Sequence, residues 1–517
     1  MVRRLRNTLV AAAIIGGLAV LAGLRLGASP MKPGEDYIEI AVQPKISPDY
    51  SGIVLPANVA PLNFRIVEPG QQYFARIHAG SGGAIDVSSR TGLVRIPQRP
   101  WRALLQANRG REILFDIYVK DAEQGWRNFR SISNTVAKDD IDDYVVYRRM
   151  KPIYNWWRDI GIYQRSLAGH DESPVLHGRS FEDGCLNCHS FAGSEPGMMT
   201  IGLRSAAYGS STLLVRDGRV GKIGAKWGYT AWHPTGKLAV YSINEVRQFF
   251  HAGRMEVRDV IDLDSALVCY MADQRKVVSP AELARKDRLE TYPAWSPDGE
   301  YLYFCSAPIP WKDRDAVPPE NYDKVKYDLR RVRYDVRGDR WGQVETVLAA
   351  GQTGLSILLP RVSPDGRFLL FCMCEYGCFP VYQPSSDLYR MDLATGNYER
   401  LTINSGYSES WHSWSSNSRW IAFSSKRQDG FFTRTYLSYI DESGTAHKPF
   451  VLPQQDPAYY DSLLETFSVP ELIKSRVRTS RASLAHAARA GASIVVDIPI
   501  TAATPKAQKA APRHERE

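Results

Sequence analysis

The sequence lacks the motifs by which several large classes of enzyme are recognised. It contains no phosphate-binding loop, no nucleophile triad and no pair of catalytic carboxylates at a known spacing. The formal net charge of +9 is modest for 517 residues, and no basic stripe with interleaved aromatic residues stands out. We therefore do not expect nucleic acid as a partner. The sequence by itself leaves open whether the protein is an enzyme.

Cysteine is also scarce, with seven residues in the chain, and two of them lie in Cys185-Leu186-Asn187-Cys188-His189. This C-x-x-C-H spacing is typical of covalent c-type haem attachment, because two thiols add to one porphyrin while the next residue offers an imidazole to the iron. A redox-active dithiol, a zinc site and a plain disulfide are the alternatives, but the irregular context and the lack of a second C-x-x-C or His pair disfavour them. The motif predicts one haem c, held by Cys185, Cys188 and the proximal ligand His189.

One long hydrophobic run occurs, at residues 9–24, and it follows the basic residues Arg3, Arg4 and Arg6. A basic start followed by an apolar stretch indicates a secretory signal or a membrane anchor. No clear small-x-small cleavage site is present, so we favour an uncleaved anchor at residues 1–30 in the inner membrane, with a cleaved signal as the alternative. Haem c is attached outside the bacterial inner membrane, so this segment and the C-x-x-C-H motif both predict a periplasmic protein.

The composition favours β structure. The chain has 27 Tyr, 12 Trp and 17 Phe, together with 39 Gly and 31 Pro to supply turns. Its length predicts two or three domains. Short apolar segments that alternate with turns over residues 35–135 predict a small β-sandwich-like domain.

A repeat dominates the second half of the chain. Residues 231–242, 294–305, 361–372 and 413–424 each combine an aromatic or apolar strand end, a tight turn of Pro-Asp-Gly type and a second strand. The pattern W-S-P-D-G-x-x-[LIV]-x-[FY] resembles the TolB-type β-propeller repeat of periplasmic bacterial proteins. In the last copy Ser416-Asn417-Ser418 replaces Pro-Asp-Gly. The resemblance implies a propeller over residues 205–457, with five or six blades.

Residues 136–204 connect the two predicted domains and carry the C-x-x-C-H motif. Aromatic residues and arginines are dense between residues 141 and 165, which predicts a helical linker whose aromatics pack between domains. In the alternative interpretation these arginines, chiefly Arg158 and Arg165, contact the haem propionates.

The order of sandwich, Arg-rich segment, single C-x-x-C-H and propeller is similar to exported bacterial proteins described as TolB-like or cytochrome c-related. The residues that carry this resemblance are Gly161 to Arg165, Cys185 to Phe191 and Tyr407 to Ser425. The resemblance implies the architecture and the haem, but it does not imply a particular reaction.

The sixth iron ligand is not marked by a motif. About 60 residues between the two β domains are too few for an independent cytochrome c domain, so a distant residue must complete the coordination, or none does. His251 is the leading candidate because Phe249 and Phe250 precede it, Met199 is the second candidate and His412 the third. For each of them, a purely structural role is the alternative.

Five cysteines lie outside the haem motif: Cys269, Cys305, Cys372, Cys374 and Cys378. Cys305 and Cys372 occupy the same place in successive repeats as Ser242 and Ser424, which predicts small buried core positions. In an oxidising compartment we expect a disulfide within the 372–378 cluster rather than a metal site, with at least one thiol left free.

Residues 458–500 predict a helical extension, and residues 501–517 a disordered tail. Three classes of function then remain. We favour electron transfer through a single haem to an unknown periplasmic redox or scaffold partner. The alternatives are a TolB-like protein-interaction scaffold whose haem is structural or redox-sensing, and a haem enzyme with an open distal site.

Overall fold

The structure is a computed structural model that describes residues 32–123, 125–151, 159–254, 256–316 and 318–495. The described residues divide into two compact units. The first unit comprises residues 32–51, 61–134 and 455–458, and the second comprises residues 52–60, 135–454 and 459–495. The predicted anchor at 1–30, the predicted propionate contact Arg158 and the predicted disordered tail at 501–517 lie outside the described residues.

The first unit is a small β domain with one helix. Its helix α1 (Gln98–Ala107) buries Trp101, Leu104 and Leu105 on one face, with the i, i+3, i+4 spacing of an amphipathic helix. The prediction of strands and turns over residues 35–135 missed this helix. Phe115 stacks on Phe64 with ring centroids 5.9 Å apart, and Trp101 packs edge-on against Phe115. Strands β1, β5, β6, β8, β9 and β10 belong to one sheet, and β2, β4 and β7 form another. The strands from residue 37 to residue 136 are β1 (Tyr37–Ile40), β2 (Ile46–Ser47), β3 (Val54–Leu55), β4 (Phe64–Ile66), β5 (Gln72–Ala79), β6 (Ile85–Ser89), β7 (Leu93–Val94), β8 (Glu112–Asp121), β9 (Gly125–Phe129) and β10 (Ile132–Val136).

The second unit contains six four-stranded sheets within the described ranges, in agreement with the predicted β-propeller. In the sequence order of their inner strands, the sheets are β14-β15-β16-β17, β18-β19-β20-β21, β22-β23-β24-β25, β26-β27-β28-β29, β30-β31-β32-β33 and β34-β11-β12-β13. The strands of this unit are β11 (Tyr144–Met150), β12 (Gly161–Ser166), β13 (Glu172–His177), β14 (Cys185–Ala192), β15 (Glu195–Ser205), β16 (Gly209–Arg216), β17 (Arg219–Ile223), β18 (Thr230–Trp232), β19 (Leu238–Phe250), β20 (Arg258–Met271), β21 (Lys276–Val278), β22 (Arg288–Trp295), β23 (Tyr301–Pro308), β24 (Asp328–Asp335), β25 (Arg340–Leu348), β26 (Ser356–Val362), β27 (Phe368–Cys374), β28 (Asp387–Asp392), β29 (Tyr398–Arg400), β30 (Glu409–Trp414), β31 (Trp420–Ser425), β32 (Arg434–Tyr439), β33 (Phe450–Val451) and β34 (Thr466–Ile473), and its helices are α2 (Ala350–Thr353) and α3 (Arg481–Arg489).

The inner strands of these sheets form a closed ring. Each of β14, β18, β22, β26, β30 and β34 contacts the next, and β34 contacts β14 again. The last blade is composite, because the late strand β34 pairs antiparallel with the early strand β11, with Tyr144 opposite Ile473. A strand from each end of the propeller sequence therefore closes the ring.

The repeat motif forms the turn between the first and second strands of a blade. In one copy the backbone N–H of Gly299 donates to the carbonyl of Ser296, the Ser296 hydroxyl accepts from the N–H of Tyr301, and Gly299 adopts a φ of 75°. The divergent last copy keeps this geometry, since Ser418 adopts a φ of 63° and donates its N–H to Ser415. His233 replaces the turn serine, and its Nδ1 lies 2.8 Å from the Thr235 hydroxyl.

The predicted helical linker at 136–204 is wrong in its secondary structure. Its residues supply β11, β12, β13, β14 and most of β15, so the propeller begins well before residue 205. The physical reason is burial on both faces of a blade, which leaves Val145, Val146 and Tyr147 all buried and hides the alternation typical of a strand. The predicted helical extension at 458–500 is also corrected, because its described residues form a short 3-10 helix at Tyr459–Asp461, the strand β34 and the helix α3.

The expected disulfide is wrong, because all seven cysteines have free thiols. Cys305 and Cys372 are fully buried, as are Ser242 and Ser424 at the equivalent positions, which confirms the prediction of small core residues. Burial raises the pKa of the Cys372, Cys374 and Cys378 thiols, so these side chains are neutral core groups at ordinary pH.

Candidate functional site: the C-x-x-C-H strand

The C-x-x-C-H motif lies on β14, an inner strand of the propeller. Leu186 pairs with Leu203 and His189 with Ile201, so β14 uses one more residue than β15 over this stretch and contains a bulge. In a regular strand, side chains three residues apart point to opposite faces. The extra residue changes that parity, so Leu186 and His189 lie opposite Leu203 and Ile201, which share one face of the sheet.

Cys185 and Cys188 differ in their surroundings. Cys185 is 2% exposed and belongs to an apolar cluster that includes Leu186 and Met199. The guanidinium of Arg204 donates to the Cys185 sulfur from 3.9 Å. Cys188 is half-buried, and burial raises the pKa of its thiol. Neither cysteine forms a disulfide.

His189 is the most unusual polar residue of the motif. It is 3% exposed, and its ring faces the backbone carbonyls of Val146 and Val469 without forming a well-aligned hydrogen bond from Nδ1 or Nε2 within the described part of the chain. These carbonyls raise the pKa of His189 as hydrogen-bond acceptors, but burial and the charge of Arg148 dominate and lower it to about 3. The imidazole is therefore neutral, with a lone pair that is not engaged by a donor. A buried polar atom without a well-formed hydrogen bond requires an explanation, and a bound ligand is one such explanation.

Three cationic side chains surround the motif. The charges of Lys226, Arg148 and Arg204 all act on Cys188 and lower the pKa of its thiol against the larger effect of burial. Burial and the neighbouring Arg204 lower the pKa of Lys226 to about 8. Arg148 also donates from Nε to the Ser468 hydroxyl at 3.1 Å. This cationic cluster of Arg148, Arg204 and Lys226 comes from three separate segments, so no sequence pattern marked it.

The candidate sixth ligands occupy different places. His412 is 4% exposed on β30, its Nε2 lies 3.2 Å from the carbonyl of Leu370, and its Nδ1 lies 3.7 Å from the Cys372 sulfur. His251 follows β19, and its Nε2 lies 3.4 Å from Asp259 Oδ2. Met199 is fully buried on β15 opposite Phe191, within the same apolar cluster as Cys185.

Arg165, the second predicted propionate contact, is 1% exposed on β12 and donates to the carbonyl of Pro453. It also lies near Tyr460 and Tyr147. Burial raises the pKa of both tyrosines, and the charge of Arg165 partly offsets that effect. It is not among the cations that act on Cys188. The described residues thus place Arg148, Arg204 and Lys226 beside the motif, rather than Arg165.

An aromatic cluster on the inner strands was not expected from the sequence. The ring centroids of Tyr229 and Tyr292 are 4.2 Å apart, and Trp411 lies 5.5 Å from Tyr229. Tyr292 and Trp411 have positive φ values of 54° and 44°, at bulges equivalent to the one in β14. Burial raises the pKa of Tyr229 well above its usual range, and the Cys188 thiol adds to that effect. The cluster therefore adjoins the C-x-x-C-H motif.

Within the described ranges, no group of three or more His, Cys, Asp or Glu side chains is arranged to hold a metal ion. None of the helices in those ranges combines the length and apolar character needed to cross a bilayer.

No protein-family model matches the chain, and no curated protein matches it. Among solved structures, TolB from Acinetobacter baumannii is similar over 70% of this chain and 78% of its own, with 13% identity and a TM-score of 0.40. A GH74 enzyme from Niastella koreensis covers 60% of this chain and 46% of its own, with 11% identity and a TM-score of 0.38. Prolyl oligopeptidase B from Galerina marginata covers 66% of this chain and 43% of its own, with 11% identity and a TM-score of 0.33. At these values the similarity carries no inference about activity.

Proposed function

We propose that this protein is an exported mono-haem c-type cytochrome built on a β-propeller, and that it acts in electron transfer. The observation that carries the proposal is the buried His189 ring, which faces the carbonyls of Val146 and Val469 and forms no well-aligned hydrogen bond among the described residues. It directly follows two cysteines that are not joined in a disulfide. Two cysteines that are not in a disulfide, followed directly by a neutral histidine, are the donor set that haem c requires.

The residues around the motif fit this group. Cys185 and Cys188 would form the thioether bonds, and His189 would supply the proximal ligand. When bound, haem supplies one-electron chemistry at its iron.

The chain itself contributes orientation and exclusion of water. The low pKa of His189, about 3, keeps its imidazole neutral, which is the form that donates a lone pair to a metal. The bulge in β14 fixes the direction of the motif side chains relative to the sheet. The apolar cluster around Cys185 excludes solvent from one side of the motif. Burial of this kind tunes the redox potential of a bound centre.

A second candidate function is a haem enzyme or sensor with an open distal position. It is favoured by the hydrogen bonding of two candidate ligands, since His412 contacts the Leu370 carbonyl and His251 contacts Asp259. A histidine held by such contacts must give them up to reach an iron. A low-spin spectrum of the purified protein would support electron transfer, and a high-spin form that binds carbon monoxide would support this alternative.

We further propose a periplasmic location, with residues 1–30 as an inner-membrane anchor and a periplasmic redox or scaffold protein as the partner. This part of the proposal rests on the basic and apolar pattern at the start of the chain and on the compartment in which haem c is attached.

The attachment of haem is tested by haem staining of denatured protein, expressed together with the c-type maturation machinery. We expect a stained band for the wild-type chain and none for the C185A/C188A double variant. The matched control is C374A, which removes a buried thiol from β27 in another blade and should retain the stain. A stained band in the double variant, or an unstained wild-type chain, would contradict the proposal.

A further inference from the structure

A cavity of about 600 Å³ lies in the second unit beside the loop that joins β19 to β20. The residues that line it include His251, Arg254, Arg258, Asp259, Lys326 and Glu375. Charged groups of both signs thus face a space large enough for a small organic molecule. His251, which the sequence suggested as an iron ligand, belongs to this cavity.

Arg258 is the most informative residue of the cavity wall. It is 3% exposed, and its Nη1 donates to the Tyr382 hydroxyl at 3.0 Å. Its Nε and Nη2 are buried and donate to no acceptor within the described ranges. These two N–H groups lie along one edge of the guanidinium, and together they form the bidentate pair that recognises a carboxylate. A buried cation whose donors are unsatisfied gains stability when an anion binds.

The carboxylates that neighbour Arg258 in the sequence are engaged elsewhere. Asp259 accepts from the Tyr376 hydroxyl at 2.7 Å, lies 3.4 Å from His251 Nε2 and accepts from the N–H of Val260. Glu256 pairs with Lys426, and its Oε1 accepts from the backbone N–H of Arg258 at 3.3 Å. Neither carboxylate forms a hydrogen bond with Nε or Nη2 of Arg258.

Several residues of the wall are held in place by contacts within the protein. Arg254 donates from Nη1 to the Tyr376 hydroxyl at 2.9 Å, and Tyr376 in turn donates to Asp259. The Arg258 guanidinium also lies over the Tyr382 ring, 5.3 Å from its centroid. Such connected contacts preorganise a site, because few side chains have to be ordered when a ligand enters.

We propose that this cavity binds a small organic carboxylate, with Arg258 as the residue that anchors the carboxylate group. Asp259, Asp323 and Glu375 line the same cavity and repel a phosphate dianion more strongly than a carboxylate monoanion. The proposal concerns a site separate from the C-x-x-C-H motif and does not depend on haem.

The test is calorimetric titration of the purified full chain with acetate, succinate, glutamate and inorganic phosphate. We expect at least one of the three carboxylates to bind with a Kd below about 5 mM and more tightly than phosphate. R258Q should weaken that binding by about tenfold or more, because charge-assisted hydrogen bonds are lost. The matched control R337Q changes an exposed arginine on another blade and should leave the Kd within about twofold.

Y382F provides a milder change, since it removes the hydroxyl that holds Arg258 Nη1 and retains the ring. It should weaken carboxylate binding by about threefold or more, and it decides the question if R258Q does not fold. The proposal is overturned if none of the three carboxylates binds below about 5 mM, if phosphate binds more tightly than all of them, or if a folded R258Q keeps the wild-type affinity.

Discussion

The buried His412 predicts a specific loss of stability in mild acid. Burial and the nearby charge of Arg361 lower the pKa of His412 to about 3 in the folded protein. The unfolded chain has an ordinary histidine pKa of about 6.5, so it binds the proton first as the pH falls. Stability is therefore lost from about pH 6.5 downwards, and the loss from this residue grows until about pH 3.

The size of the effect follows from the two pKa values. At pH 5 the unfolded His412 is almost fully protonated while the folded one is neutral, which corresponds to about 2 kcal/mol of lost unfolding free energy relative to pH 7.5. The complete shift from 6.5 to about 3 corresponds to about 5 kcal/mol.

Three buried carboxyl groups act in the opposite direction. Burial raises the pKa of Asp262 to about 8 and those of Glu290 and Glu471 to about 7, so these groups bind protons on folding and favour the folded state as the pH falls. Only a comparison with a variant isolates His412. His412→Gln keeps an N–H donor for the Leu370 carbonyl and cannot take up a proton.

The assay is urea unfolding, followed by tryptophan fluorescence at pH 7.5 and pH 5, of the wild-type chain and H412Q. We expect the wild-type chain to lose about 2 kcal/mol more than H412Q between the two pH values. Equal losses in the two proteins would refute the argument, because they would mean that His412 takes up a proton equally well in the folded and unfolded states.

Two further predictions concern the thiols and the closure of the ring. Thiol titration of denatured, unreduced protein should detect seven thiols in chain made without haem attachment and five in the haem-bearing chain, because no cysteine is in a disulfide and two thiols would be consumed; a lower count would reveal a disulfide. Ending the chain before β34 removes the buried Phe467, Leu472 and Ile473 from the last blade, and should destabilise the propeller by more than about 5 kcal/mol in urea unfolding. The control is a chain that ends at Ile500, which lacks only the tail predicted to be disordered and should unfold like the full chain. If the chain without β34 is as stable as the full chain, the closure by β34 is contradicted.

The repeat and its turns could be predicted because their signals are local. Ser296, Pro297, Asp298 and Gly299 make the turn with their own backbone and side-chain groups, so the pattern can be recognised without knowledge of the fold. The closure of the ring could not be predicted in this way. It depends on the pairing of Tyr144 with Ile473, which lie at opposite ends of the propeller sequence, and nothing in either segment marks the other.

In the candidate site, too, the features with a local sequence signal could be predicted, and those that depend on distant segments could not. Covalent chemistry fixes the spacing of Cys185, Cys188 and His189, so the sequence alone predicts their role. The cations beside them could not be predicted, because Arg148 comes from β11, Arg204 from β15 and Lys226 from the segment before β18. The aromatic cluster was missed for a related reason, since Tyr292 and Trp411 meet at bulges with positive φ, a conformation that bulky residues seldom adopt.

The most direct measurement of the central claim is a pyridine haemochrome spectrum of the full chain, expressed with the c-type maturation machinery and compared with its protein concentration. We predict one c-type haem per chain, with the spectrum of a porphyrin joined by two thioether bonds to Cys185 and Cys188. A chain that is folded and carries no covalent haem would contradict the claim, and would leave His189 as a buried imidazole that needs another explanation.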